Sequence, residues 1–324
     1  MNPIYQQALN GTLSSPGGVA SSQNLLNVCM ISVDILRCNS DTTLTLVQTL
    51  SPNATVNANS WAGMVNDYYV IQSTLTGAFM MVVQLLSNST DPVDISQDML
   101  CNPNDIGEIP QPSQNFLLPP NTPGVVVGIG LLPGSQLVIT REQFWARSGD
   151  SYSLGPGETR EISFTQTSGM QNTSSSQDVV NKSINASGSV GWGPFSASVS
   201  AALSSSSTTM QQVSVTEEST SYVAQKFYNA PGEESVMVLK WELTDTIYGF
   251  SITNNYAPSF SVQTVQTPVA ISSLVASAIP AGETAKIEVQ SLQLTDDILA
   301  QELKIKKLAR ARQMEQLMAL MPPK

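Results

Sequence analysis

Ser183-Ile-Asn-Ala-Ser-Gly-Ser-Val-Gly-Trp192 and Phe195-Ser-Ala-Ser-Val-Ser-Ala-Ala-Leu-Ser204 are joined by Gly193-Pro194. In the first half the apolar or small residues hold even positions, Ile184, Ala186, Gly188, Val190 and Trp192. In the second they hold odd ones, Phe195, Ala197, Val199, Ala201 and Leu203. A parity change across a two-residue break is what a β-hairpin requires, because residues flanking a two-residue turn face each other. The predicted pairs are Trp192 with Phe195, Val190 with Ala197, Gly188 with Val199, Ala186 with Ala201 and Ile184 with Leu203. Gly193 supplies the positive φ of the first position of a type II′ turn, and Pro194 the fixed φ of the second.

One face of this hairpin is apolar. The other is almost all serine and carries no charge, although solvent-exposed sheets normally display Lys, Arg and Glu that guard against sticky edges. Each arm has about ten residues, the length of a tilted strand crossing a bilayer. Three readings of the hairpin stay open: membrane insertion, an ordinary soluble hairpin with one buried face, or a self-assembly surface.

The surrounding chain has the same character. From Ser163 to Ser221, 25 of 59 residues are Ser or Thr and only Asp178, Lys182, Glu217 and Glu218 are charged. Alternation inside this biased composition argues against disorder. A Ser/Thr-rich strand at 161–176, the hairpin, a second Ser/Thr-rich strand at 205–221 and a Pro-Gly turn before the alternating stretch up to Trp241 resemble, over residues 155–255, the pore-forming module of aerolysin-like toxins. The resemblance implies a protein made soluble, with no catalytic residue and no cofactor, that binds membrane lipid or a cell-surface receptor. It would form a homo-oligomer and refold the hairpin into a transmembrane barrel. Ile184, Val190, Val199 and Leu203 would then face lipid, with Trp192, Gly193, Pro194 and Phe195 at the leading tip. The alternative is a self-assembling structural or adhesin-type β protein that packs through its uncharged Ser/Thr faces.

Upstream, apolar runs at 28–36, 43–50, 69–75, 78–86, 124–131 and 136–140 are separated by polar turns and predict a β-sandwich over residues 25–150, serving as receptor-binding or scaffold domain. Residues 1–24, rich in Gly, Ser, Gln and Asn, predict a flexible arm, and the proline-rich stretch 87–123 a long loop over the sandwich. Residues 151–294 form the elongated antiparallel β module, with strands at 159–167, 222–228, 235–243, 248–253, 259–265, 270–276 and 284–294. The fold class is thus mainly β with a terminal helix. Cys29 and Cys38 lie in one apolar run and cannot bridge if that run is a single strand. Three buried free thiols are expected, with a Cys38–Cys101 bond as the alternative.

A C-terminal α-helix over 295–324 starts at Thr295-Asp296-Asp297, a capping residue followed by two acids at the positive end of the dipole. Leu299, Leu303, Met314 and Leu317 give it apolar character and Lys306, Lys307 and Arg310 a basic middle. It is expected to contact a neighbouring subunit or its own body; a membrane surface is the other reading.

Composition excludes whole classes of chemistry. With no histidine there is no Ser-His or Cys-His nucleophile pair and no imidazole metal ligand. No Gly-x-Ser-x-Gly, Walker loop or Cys-x-x-Cys is present, so no enzyme activity and no metal site are expected. Residues 1–300 carry eight basic and 23 acidic groups, a net of −15, and no positive side chain lies between Arg37 and Arg141. Nucleic acid, which needs clustered cations, is excluded as a partner. The N-terminus lacks the basic start and apolar stretch of a classical signal peptide. A chain produced soluble, released, and then acting at a target membrane is the expectation. Trypsin trimming of 295–324, followed by sizing, checks the helix: loss of assembly identifies a subunit contact, and unchanged assembly a solvated tail.

Overall fold

The computed structural model describes residues 1–86, 91–102, 105–107, 121–132, 134–170, 219–233 and 235–275. Helix α1 (Pro3–Leu9) is followed by strands β1 (Asn24–Asn27), β2 (Val33–Cys38), β3 (Leu44–Leu50), β4 (Thr55–Asn57), β5 (Tyr68–Ser73), β6 (Phe79–Gln84) and β7 (Val93–Ile95). After them come β8 (Val125–Leu131), β9 (Leu137–Leu154), β10 (Thr159–Met170), β11 (Ser219–Tyr228), β12 (Val236–Ser251) and β13 (Ala257–Val275). The chain is mainly β, with one α-helix among the described residues.

Ten strands form one sheet in the order β11-β10-β13-β12-β9-β8-β6-β5-β2-β3, and β4-β1-β7 form a small second sheet. Neighbours in the large sheet are antiparallel except β6 and β8, which meet in parallel at Phe79 and Val125. The small sheet covers one face of the large one. Leu25 and Ile95 from the small sheet share a buried cluster with Val33, Ile35, Ile71, Met81 and Val83 from the large one. Residues 87–123 therefore do more than loop, since β7 lies within them and pairs in parallel with β1.

The opposite face is covered by the N-terminal segment, which corrects the flexible arm expected for residues 1–24. Asn2 caps α1 through its side-chain oxygen, which accepts from the Ile4 amide at 3.0 Å. Ile4, Tyr5, Ala8 and Leu9 pack on a second cluster that includes Cys38, Val70, Phe79, Val82 and Val127, and the Tyr5 and Phe79 rings meet edge-on at 5.5 Å. Four apolar side chains suffice to dock a helix of seven residues, too few to stand out against the polar composition around them.

The apolar run 28–36, expected as one strand, is a connection over 28–32 followed by the start of β2, and it links β1 of the small sheet to β2 of the large one. The buried Asn27 turns the chain between them: its amide donates to Ile31 O at 2.9 Å and Leu50 O at 3.0 Å, and its oxygen accepts from the Cys29 amide at 2.9 Å. Cys29 thus sits in a connection and not on the strand that holds Cys38. All three cysteines are free and buried, as expected.

The largest correction concerns strand length. A strand ending at Thr140 and separate strands at 235–243 and 248–253 are in fact the unbroken β9 and β12, paired from Val236 with Leu154 to Ser251 with Leu137. The boundary drawn at residue 150 falls inside β9. Arg141, Glu142 and Asp245 hid this continuity because charges interrupt an apolar alternation, yet all three are buried. Arg141 donates to Asp245 Oδ2 at 2.8 Å, an ion pair closed off from solvent. The expected strands at 259–265 and 270–276 also merge, into β13. Between Glu242 opposite Val269 and Leu243 opposite Gln266 the register slips, so Thr267 and Pro268 bulge out of the ladder. Proline has no N–H to donate and is tolerated in a sheet at such a bulge.

Removing one partner of a buried pair strands the other charge, so Arg141→Met is expected to cost about 3–5 kcal/mol. Replacing both, Arg141→Met with Asp245→Leu, should restore most of that loss. Urea midpoints of the two variants check it.

Candidate functional site

The expected inserting residues Ile184, Val190, Trp192, Gly193, Pro194, Phe195, Val199 and Leu203 fall within 171–218. The expected contact residues Leu299, Leu303, Lys306, Lys307, Arg310, Met314 and Leu317 fall within 276–324. Both stretches lie outside the described residues, as do the strand and helix expected over 284–324. The described residues do fix where the first stretch starts and ends.

β10 and β11 pair antiparallel from Thr159 with Tyr228 to Ser168 with Ser219. Met170 and Ser219, the described residues on either side of that stretch, therefore lie on adjacent antiparallel strands. This two-stranded arm forms one edge of the sheet. Among the described residues its ladder pairs with the rest of the sheet are Gly169 with Val265 and Met170 with Thr264, whereas β12 and β13 are paired from Val236 with Val275 to Ser251 with Ala257.

The base of the arm is held by a small set of contacts. Glu158 accepts from the Gly155 amide at 2.8 Å and closes the turn between β9 and β10. The Asn229 amide nitrogen donates to Glu158 O at 2.9 Å, and its side chain to Leu154 O at 3.3 Å. Tyr152, Leu154 and Val238, with Phe227 against them, form a separate apolar cluster. The Arg160 guanidinium stands over the Tyr152 ring, 5.8 Å from its centroid.

Two further polar arrangements escaped the sequence reading. Glu142 is buried, and its Oε1 accepts from the Thr76 hydroxyl at 2.5 Å. Burial pushes its carboxyl up to about 7, with the Thr76 bond pulling the other way. On β2, Arg37 pairs with the buried Asp67 at 2.7 Å; the Tyr69 hydroxyl accepts from Trp61 Nε1 at 3.0 Å. Lone charges in apolar strands were the available signal for both, but their partners are distant in sequence.

Burial pushes the Cys29 and Cys101 thiols up to about 12 and that of Cys38 to about 11, which keeps all three protonated at neutral pH. Among the described residues no group of three or more His, Cys, Asp or Glu could hold a metal ion. Among them, too, no helix is long and apolar enough to cross a membrane.

The raised carboxyl of Glu142 sets a pH dependence. Its ordinary value is 4.5 and its folded value about 7, so in that window the folded chain holds a proton that the unfolded chain has lost. Stability should then fall as pH rises from about 4.5 to 7 and stay level for this group above that. Glu142→Gln is expected to flatten that slope and stabilise the protein at pH 8 by on the order of 1–3 kcal/mol, read from urea midpoints at pH 5 and pH 8.

No family model and no curated protein matches this chain. Among solved structures, that of Cry35Ab1 aligns over 74% of this chain and 73% of its own, at 13% identity and a TM-score of 0.36.

Proposed function

We propose that the protein assembles on a membrane and inserts the 183–204 hairpin as its share of a transmembrane β-barrel. The observation that carries this reading is a register. In every β10–β11 pair the two residue numbers total 387, from Thr159 with Tyr228 to Ser168 with Ser219. The hairpin pairs read from the apolar pattern obey the same rule: Trp192 with Phe195 and Ile184 with Leu203 also total 387.

The two registers have independent origins. One is a backbone ladder, and the other rests on side-chain parity and turn chemistry alone. Any odd-numbered offset would have thrown the apolar residues of the hairpin onto the other face. Their agreement supports one continuous ladder, running from the base of the arm to the Gly193-Pro194 turn. An arm hung on the sheet by a short joint, with an uncharged serine face and an apolar one, suits release and reinsertion as a barrel hairpin.

On this reading the partners are membrane lipid or a cell-surface receptor and further copies of the chain, with no role for nucleic acid, cofactor or catalytic residue. The protein is produced soluble and acts after release. The terminal helix, through Leu299, Leu303, Met314 and Leu317, contacts a neighbouring copy. A self-assembling structural protein is the second reading, and one observation favours it. Edge strand β3 carries no charge and exposes Leu44 and Leu46, a poorly guarded edge.

Two experiments test the proposal. Oxidation should cross-link Ala186→Cys with Ala201→Cys, or Ser187→Cys with Ser200→Cys, in preference to the offset pair Ala186→Cys with Leu203→Cys; a preference for the offset pair overturns the register. In dye release from lipid vesicles, Val199→Lys should lower leakage more than tenfold, because a cation on the lipid face costs about 2–4 kcal/mol at mid-bilayer. Ser198→Lys, on the opposite face, should leave leakage near the parent level. No leakage from the parent on any lipid composition sinks the pore, and ordered assemblies without lipid would move the conclusion to the second reading.

A further inference from the structure

Three connections meet at the end of the sheet where β12 passes into β13. Tyr256 donates its hydroxyl to Met30 O at 3.2 Å, tying the 251–257 turn to the 27–32 connection. The Ile252 amide donates to Gln136 O at 3.0 Å, tying the same turn to the β8–β9 connection. Apolar side chains at or beside each connection face solvent: Val28 is 40% exposed, Met30 36%, Leu131 at the end of β8 45% and Ile252 37%.

The charge distribution at this end is unlike that of the body. No charged side chain occurs in residues 1–33, 109–140 or 246–282, the three stretches that supply these connections, although residues 1–300 as a whole carry a net of −15. The polar residues between the apolar ones are Asn, Ser, Thr and Gln. The turn also stores strain. Asn255 and Tyr256 both have positive φ, 49° and 57°, a conformation that costs a bulky residue such as tyrosine energy and persists where its surroundings enforce it.

From this placement we infer that the surface where these three connections meet is the one on which the protein rests on a bilayer of neutral, zwitterionic lipid. The inference rests on the membrane reading above and names the lipid class and the contact. Scattered apolar side chains among uncharged polar ones match a bilayer interface, where aliphatic groups enter the acyl boundary and hydroxyl and amide groups bond the headgroups; the nearby exposed charges, Asp94 and Asp98 beside the 27–32 connection, are both acidic. With no cation in the patch and an acidic body behind it, anionic lipid offers no attraction and some repulsion. The register agrees with the placement: β10 runs antiparallel to β13, so the chain leaves Met170, opposite Thr264, heading toward the Ala257 end.

Flotation with phosphatidylcholine vesicles tests this, with thermal melts as the folding control. The parent should bind. Ile252→Asp and Met30→Asp should each weaken binding at least tenfold while melting as the parent does, and including phosphatidylserine should not strengthen binding. Ile252→Cys, labelled with an environment-sensitive dye beside three buried native thiols, should report an apolar environment on vesicle addition and covers the case of an Asp variant that fails to fold. Parent-level binding by both Asp variants, binding that requires anionic lipid, or a label that stays in water overturns the inference and leaves the pore reading standing if dye is still released. Binding through this surface without dye release leaves the inference standing and removes the pore. Loss of self-association in lipid-free buffer, with vesicle binding intact, assigns the patch to a second copy and overturns the inference.

Discussion

The antiparallel pairing of β9 with β12 is the constraint on which everything else hangs. It spans both strands from end to end, with one register shift between the Leu239–Ser151 and Trp241–Arg147 pairs. On one side it carries the N-terminal half of the sheet through β8, and on the other β13 and the arm. Toward its Leu137–Ser251 end sits the Arg141–Asp245 pair, where two of the arginine's donors, Nε and Nη1, meet no acceptor among the described residues. A buried ion pair is weak evidence of stability, because desolvation offsets attraction. What it does supply is registration. A shift of one residue would part the two charges and leave each buried alone, a state much costlier than the aligned one.

Against this rigid spine the arm is lightly attached. β10 touches β13 at Gly169 and Met170, and the base relies on the small cluster around Tyr152, Leu154 and Val238. Large apolar burial lies instead at the other end, under α1 and the small sheet. Where buried contacts are few, the local free energy of opening is low.

Much of the N-terminal half was legible because its strands are short apolar runs between turn residues. The cores of β3, β5, β6 and β8 lie within the runs read from sequence. The small sheet was not, since Asn24–Asn27, Thr55–Asn57 and Val93–Ile95 are brief and rich in Asn, Asp and Thr. Their strand character comes from pairing and not from propensity. The long strands were misread as fragments wherever a charge or a proline fell, at Arg141, Asp245 and Pro268. Each interruption is answered by something distant in sequence or by a local bulge, which no periodicity reveals. The expected hairpin lies outside the described residues; its turn is an expectation from pattern, whose register matches that of the neighbouring ladder.

The charges on β9 have a consequence during synthesis. The residues paired across the spine are 82 apart at Leu154 with Val236 and 114 apart at Leu137 with Ser251. At about 5–20 residues per second, a nascent chain holds β9 with one unpaired edge for about 4–20 s before β12 emerges. An open edge built only of Val, Ile, Phe and Trp would recruit other nascent chains in that interval. Arg141, Glu142, Arg147 and Asp150 lie along it instead. Two of these, Arg141 and Glu142, are costly to bury later but act as gatekeepers first. A spine stabilised by removing Glu142, or relieved of Arg141 together with Asp245, would come with a chain more prone to aggregate before it is finished.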